Sequence, residues 1–190
     1  MQVTAEGVSR KFNRRPVFAD VSFTVAPGEV FGIVGRNGSG KSTLLRIIGG
    51  LLSPSAGKMR HSLDGVDVDG EKLYRHIGYA APYLVLYEEF SAVENLVLFS
   101  RIRGLRRSPA DINALLERVG LPTDRSDPIR AFSSGMKQRM RLLFAVLHEP
   151  PLLLLDEPIS NLDADGMAVV SDIVADYRER GTVIIATNAV

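Results

Sequence analysis

The sequence predicts an α/β fold with a parallel central sheet, an antiparallel β subdomain at the N-terminus and an inserted helical subdomain. A largely apolar run of strand type, residues 29–34, leads into a glycine-rich loop and then a helical pattern. Four consecutive leucines at 152–155 are typical of a strand buried on both faces of a parallel sheet. A helical pattern over residues 168–178 separates them from another strand pattern at 182–186, which is the βαβ order of parallel strands.

The remaining elements follow in order along the chain. Alternating apolar residues over 17–25, closed by a Pro-Gly turn, predict the antiparallel strands of the N-terminal part. A helix is expected over residues 42–48, and residues 63–68 predict a hairpin with an Asp-Gly turn. A further short strand is expected at 77–80. Over residues 91–148 apolar residues recur at spacings of three and four, which predicts the helical insert.

Length and composition indicate a single domain over residues 1–190, with a core at about 1–82 and 150–190 and a helical insert at about 83–149. The chain is 45% apolar with a net charge of +1, so charge gives no argument for a nucleic-acid partner. The absence of cysteine excludes disulfides and thiolate metal sites. The N-terminus lacks a signal-peptide layout and no apolar run approaches the ~20 residues that span a bilayer. We therefore expect a soluble protein that contacts a membrane only through a partner.

The glycine-rich loop predicts a nucleotide triphosphate site. Residues 35–43 read Gly-Arg-Asn-Gly-Ser-Gly-Lys-Ser-Thr and fit the pattern G-x-x-x-x-G-K-[ST]. Its backbone N–H groups can turn inward around a β-phosphate, while Lys41 reaches the β- and γ-phosphates and Ser42 offers a hydroxyl to Mg²⁺. A chance glycine-rich turn would not require the strand before it and the helix after it. The predicted nucleotide-binding residues of the loop are Asn37, Gly38, Ser39, Gly40, Lys41, Ser42 and Thr43.

Two acidic residues end the leucine-rich strand. Asp156 and Glu157 emerge at the carboxyl end of a parallel strand, where ligands bind in open α/β sheets. Asp156 is placed to hold Mg²⁺ through water, and Glu157 to polarise the water that attacks the γ-phosphate. The alternative is a solvated turn, and the phosphate loop upstream favours the functional interpretation.

A third motif lies between these two. Residues 132–139 read Phe-Ser-Ser-Gly-Met-Lys-Gln-Arg, which resembles the signature motif of ABC-type ATPases, usually Leu-Ser-Gly-Gly-Gln. The resemblance spans essentially the whole chain and implies the ABC ATPase fold on a P-loop NTPase core. It also implies that Ser133 and Gly135 contact the γ-phosphate of ATP held by a second subunit, whereas Ser134 and Met136 depart from the pattern. An ordinary helix cap is the alternative.

Two further positions carry over from the family. Phe12 stands where family members place an aromatic ring that stacks on adenine, with Val17 on the same side. The alternative is that Phe12 belongs to the core. Residues 160–163 resemble the loop that bridges two subunits of the ATP-bound dimer, which makes Asp163 a coupling residue; a cap for the following helix is a compatible role.

Two departures concern hydrolysis itself. Pro82 stands where the family has a glutamine that touches Mg²⁺ and the attacking water, and proline offers no amide side chain. Asn188 replaces the histidine at the end of the last strand; asparagine can donate a hydrogen bond to the γ-phosphate but does not take up a proton. The catalytic residues expected from the resemblance are Glu157, Lys41 and Asn188.

The resemblance implies an ATP-binding subunit of an ABC transporter that uses ATP and Mg²⁺ and hydrolyses ATP as a head-to-tail homodimer. Its partner would be an integral membrane subunit, with this chain on the cytoplasmic face of the membrane. Residues 83–90 carry aromatic side chains that either receive the partner or pack the insert onto the sheet. The short chain and the signature variant look similar to small bacterial exporter ATPases, including the haem-exporter type of cytochrome c maturation. The alternative function is an ATP-gated binding module with little hydrolysis, which Pro82 and Asn188 suggest.

Overall fold

The computed structural model describes residues 1–123 and 126–188, which form two four-stranded sheets and five α-helices. No helix within these ranges is long and apolar enough to cross a membrane. Two short 3₁₀-helices lie at Gly70–Arg75 and Ile129–Ala131. The α-helices are α1 (Lys41–Ile48), α2 (Ala92–Ile102), α3 (Pro109–Arg118), α4 (Ser134–Val146) and α5 (Ala164–Arg178). The strands are β1 (Gln2–Phe12), β2 (Arg15–Val25), β3 (Val30–Val34), β4 (Ala56–Leu63), β5 (Val66–Asp67), β6 (Ile77–Ala80), β7 (Leu152–Asp156) and β8 (Thr182–Thr187).

The antiparallel sheet has the order β2, β1, β4, β5 and contains the predicted hairpin, in which Leu63 lies opposite Val66. β4 begins before the hairpin predicted at 63–68, inside the Ser-Pro-Ser-Ala-Gly stretch at 53–57, whose residue types usually interrupt regular structure. The reason is a pairing with β1 that is distant in sequence, since Ala56 lies opposite Ser9. Chain-breaking residues at the start of a strand are compatible with an edge that pairs on one side.

The parallel sheet has the order β3, β8, β7, β6, so β7 lies between two strand neighbours. Leu153 of β7 lies opposite Gly78 of β6 and Val183 of β8, and Gly32 of β3 lies opposite Ile185. All three pairings are parallel, so the carboxyl ends of the four strands meet at one edge of the sheet. The fold is therefore the predicted α/β arrangement, with the phosphate loop and Asp156 brought to the same edge.

β7 separates two hydrophobic cores. Leu152 and Leu154 belong to the core covered by α1 and the antiparallel sheet, whereas Leu153 and Leu155 belong to the core shared with the helical insert, α4 and α5. All four leucines have 0% of their surface exposed. The prediction of a strand buried on both faces is confirmed, and the alternation of its side chains decides which helix each one contacts.

The helices begin at polar caps. Ser91 and Ser108 each form a capping box at the start of α2 and α3, and the Ser133 hydroxyl accepts a hydrogen bond from the Met136 N–H at the start of α4. α5 begins at Ala164, four residues before the predicted start, because the Asp163 carboxylate accepts a hydrogen bond from the Gly166 N–H at 2.9 Å. Because of this cap, the helix begins before the first residue of the apolar pattern from which it was predicted.

We expect Leu154→Ala to lower the free energy of unfolding by about 2–5 kcal/mol, because it leaves a cavity between β7 and α1. Leu51→Ala is the matched control, since Leu51 is 65% exposed and its truncation should change stability by about 0.5 kcal/mol or less. Urea unfolding followed by circular dichroism measures both. Equal losses in the two variants would contradict the assignment of β7 to the centre of the core.

Candidate functional site

The phosphate loop joins β3 to α1, and α1 begins directly after it at Lys41. Gly40 has φ +98°, a backbone conformation that L side chains rarely adopt. A Cβ built at Gly40 would lie 2.6 Å from Val17 Cγ1, so the second strand of the antiparallel sheet packs directly onto the loop. The close contact places Val17 beside the predicted phosphate-binding backbone.

Lys41 is the best-connected side chain of the site. It is 7% exposed, and its Nζ donates hydrogen bonds to the carbonyl oxygens of Gly35 at 2.9 Å and Arg36 at 3.3 Å. It also donates to Asn188 Oδ1 and lies 3.5 Å from Glu157 Oε1. A buried ammonium needs such partners to offset its lost hydration. The ends of β3, β7 and β8 therefore converge on one cation.

Asp156 is 1% exposed and accepts a hydrogen bond from Ser42 Oγ at 3.0 Å. Burial raises the pKa of Asp156 above its ordinary value, although the Ser42 hydrogen bond and the cations of Arg46 and Lys41 oppose the rise. A buried carboxylate beside a serine hydroxyl is an oxygen-donor pair that suits a hard divalent cation such as Mg²⁺. The residues present fit the metal that the motif implies.

Glu157 has a left-handed backbone, with φ +49°. Its N–H donates to the Ala186 carbonyl at 2.8 Å, and its Oε2 accepts from the Asn188 N–H at 3.3 Å. A non-glycine residue in this conformation is uncommon and is found at functional sites. The turn places the Glu157 carboxylate beside Lys41.

A cleft of about 390 Å³ opens at the phosphate loop. It brings together most of the loop residues that the sequence predicts, Val17 and the carboxylate of Glu157. Phe12 lies at the end of β1, is 46% exposed and carries the Arg10 guanidinium 4.5 Å from its ring centroid, so it is not a core residue. The cleft is lined by Val17, Asn37, Gly38, Gly40, Lys41, Ser42, Thr43 and Glu157.

The signature residues lie elsewhere. Ser133 caps α4, and a Cβ built at Gly135 would lie 3.2 Å from the Asn161 carbonyl oxygen, in the loop that precedes Asp163. None of Ser133, Gly135 and Asp163 is among the residues that line the cleft. Within the described chain the structure thus assembles one group at the phosphate loop and a second group where α4 meets the start of α5.

Sequence reasoning missed two features of the site. The contact of Asn188 with the γ-phosphate stays a prediction, and the structure adds two contacts that the sequence did not predict: its amide oxygen accepts from Lys41 and its N–H donates to Glu157. Sequence reasoning also missed Arg46, whose Nε donates to the Tyr83 hydroxyl at 3.0 Å. A signal for Arg46 was available, since it follows Ser42 by four residues and therefore lies on the same face of α1. Pro82 itself is exposed, in a turn in which the Leu84 N–H donates to the Ala81 carbonyl at 3.1 Å.

Comparison with known proteins agrees with these observations. Residues 18–160 match the family model described as ABC transporter. The uncharacterised ABC transporter ATP-binding protein YybJ of Bacillus subtilis is 34% identical over 187 residues, which are 95% of this chain and 82% of that protein. The Nod factor export ATP-binding protein I of Rhizobium etli is 36% identical over 184 residues, covering 95% of this chain but only 58% of that protein. A solved ATP-binding subunit of an ABC transporter superposes with a TM-score of 0.85 at 30% identity, over 99% of this chain and 80% of that one.

We expect Gly40→Ala to be more destabilising than Gly65→Ala. Both glycines have positive φ, +98° and +80°, so each substitution costs about 1–2 kcal/mol from the backbone alone. A Cβ at Gly65 meets no atom of the described residues within 4 Å, whereas at Gly40 it overlaps Val17, which adds about 1–3 kcal/mol. Urea unfolding compares the two. Equal costs would contradict the packing of Val17 on the phosphate loop.

Proposed function

The chain belongs to the ABC transporter family as an ATP-binding subunit, and from this premise we propose that it hydrolyses ATP at the interface of a head-to-tail homodimer. Hydrolysis would drive transport through a separate integral membrane subunit, with this chain at the cytoplasmic face. Export is the proposed direction, because the relative from Rhizobium etli carries that function in its name. The haem-exporter subtype gains no support from these relatives and stays a prediction.

The observation that carries the proposal is the meeting of Lys41, Ser42 and Glu157 in one cleft, with the buried Asp156 hydrogen-bonded to the Ser42 hydroxyl. Ser42 and Asp156 would hold Mg²⁺, which supplies positive charge against the phosphates. Lys41 exchanges its protein oxygens for phosphate oxygens when nucleotide enters. Glu157, released from Lys41, then orients the attacking water and accepts its proton. Phe12 lies exposed at the end of β1, where its ring can stack on the adenine.

The division of site residues into two groups supports the head-to-tail dimer. Ser133 and Gly135 do not line the cleft of their own chain, yet they stand at the N-terminus of the 13-residue helix α4, which favours an anion. A second copy in the opposite orientation would bring that helix end to the γ-phosphate. Asp163, at the start of α5, would then lie between the two nucleotide sites.

The alternative function is an ATP-gated binding module with little hydrolysis. Two observations favour it: Pro82 has no side chain that reaches a metal, and Asn188 is neutral and engaged with Lys41. Nucleotide binding and dimer closure need neither a glutamine nor a histidine. Hydrolysis assays therefore separate the two functions, whereas binding assays do not.

We expect the wild-type protein to hydrolyse MgATP at high protein concentration and Glu157→Gln to lose on the order of 10²–10⁴-fold in rate, because an amide does not accept the water's proton. Glu149→Gln is the matched control, since Glu149 also has a left-handed backbone, with φ +51°, but is exposed. Its rate should equal that of the wild type. If the wild type and Glu157→Gln both bind ATP but neither hydrolyses it, the alternative function is favoured. Recovery of hydrolysis in Asn188→His would then assign the defect to residue 188.

The dimer has its own test. Ser133→Ala and Ser108→Ala each remove an N-cap and should each cost about 0.5–2 kcal/mol of stability. Only Ser133→Ala removes a proposed phosphate contact, so it alone should weaken ATP-dependent dimerisation and lower the hydrolysis rate about tenfold. Light scattering and steady-state assays measure these effects. Equal rates in the two variants would rule out a role for Ser133 at the nucleotide.

A further inference from the structure

The backbone of residues 83–90 is attached to the helical insert. The buried Asn95 side chain of α2 accepts from the Tyr87 N–H at 3.1 Å and donates to the Tyr87 and Phe90 carbonyls at 2.9 and 3.3 Å. From α4, Arg141 Nε donates to the Leu84 carbonyl at 2.9 Å, and Lys137 Nζ lies 2.7 Å from Glu88 Oε1. These contacts attach residues 83–90 to the helical insert, which also contains α4 and the signature motif.

The side chain of Tyr83, at the start of the same segment, reaches in the opposite direction, to α1. Its hydroxyl accepts from Arg46 Nε at 3.0 Å, and the Arg46 guanidinium lies 4.3 Å from its ring centroid. The Tyr79 hydroxyl of β6 is also hydrogen-bonded to it. A guanidinium that both donates to a phenol and stacks on its ring fixes the ring in two ways. Tyr83 is therefore a junction between α1, β6 and the helical insert.

The α1 side of this junction is the side that holds the proposed metal. Arg46 follows Ser42 by one helical turn, and Tyr79 belongs to the core beneath α1 rather than to that of the insert. The neighbouring Gly78 faces the other way, since a Cβ built there would lie 2.0 Å from the Ala145 carbonyl oxygen of α4. β6 thus lies between α1, which follows the phosphate loop, and α4, which carries the signature motif and is called the signature helix below.

We propose that Tyr83, held by Arg46, is a positioning residue that couples the Ser42 and Asp156 face of α1 to residues 83–90 and the signature helix. The inference rests on the proposed function and deepens it. Tyr83 directly follows Pro82, so the connection runs through an arginine–tyrosine contact rather than a side chain that touches the nucleotide. Movement of α1 on nucleotide binding is then passed to the body that carries Ser133.

Tyr83→Phe tests this coupling, because it removes the hydroxyl and keeps the ring. Its matched control is Tyr74→Phe: Arg75 Nε donates to the Tyr74 hydroxyl at 3.1 Å and stacks at 5.6 Å, in an exposed pair on the 3₁₀-helix before β6. We expect Tyr83→Phe to lower kcat for MgATP about tenfold and to change KM less than about twofold, because orientation rather than binding is lost. Tyr74→Phe should change neither.

A second measurement does not depend on hydrolysis. The chain has five tyrosines and no tryptophan, so tyrosine emission is observable directly. Addition of MgATP should change the emission of the wild type and of Tyr74→Phe, and the change should be lost in Tyr83→Phe while a fluorescent ATP analogue still binds. An emission response in a protein that does not hydrolyse ATP would support the coupling and contradict the proposed ATPase activity. A wild-type kcat in Tyr83→Phe, an effect on KM alone, or an unchanged emission response in that variant would overturn the inference.

Discussion

The alternation of side chains along β7 is the constraint on which the site depends. Leu152 and Leu154 face the core beneath α1, so Asp156, two residues further, emerges on the side of α1 and meets Ser42. The next residue of a regular strand would point to the opposite face. The left-handed backbone at Glu157 breaks the alternation, and the Glu157 carboxylate lies beside Lys41 instead. A shift of one residue in the pairing of this strand would remove both carboxylates from the phosphate loop.

The same alternation explains why Asn188 belongs to the site. Ile184 and Ala186 of β8 face the core beneath α1, and Asn188 continues that face to Lys41. The Asn188 amide carries no charge. Before nucleotide binds, the Lys41 ammonium is therefore the cation that lies near the carboxylates of Glu157 and Asp156. A triphosphate would add several negative charges to a partly buried site, which is favourable only if a cation accompanies it and Lys41 leaves Glu157. In the proposed mechanism, phosphate binding would thus release Glu157 from Lys41.

Structural elements that depend on contiguous residues could be predicted from the sequence, whereas contacts between residues distant in the sequence could not. The phosphate loop, the leucine strand and the hairpin at residues 63–68 each carry their pattern within ten residues, and the structure has them where the sequence predicts them. The contact between Lys41 and Asn188 joins residues 147 apart, and that between Arg46 and Tyr83 joins residues 37 apart. No local pattern encodes either contact. The left-handed backbone at Glu157 was also beyond prediction, because it occurs together with a hydrogen bond to the distant Ala186 of β8 and glutamate itself does not favour it.

The helix α4, which carries the signature motif, begins at polar groups that do not line the cleft of the same chain. The Ser133 hydroxyl accepts a hydrogen bond from the Met136 N–H, which leaves its O–H as a donor directed by the cap geometry. In the proposed dimer, this donor and the N-terminal amides of α4 would together bind the phosphate of a nucleotide held by the other copy. Gly135 permits close approach of Asn161, so the helix and the loop that leads to Asp163 are in contact. A phosphate bound at Ser133 would therefore act on the start of α5 through direct packing, and the two nucleotide sites of a dimer would respond to each other without a long pathway between them.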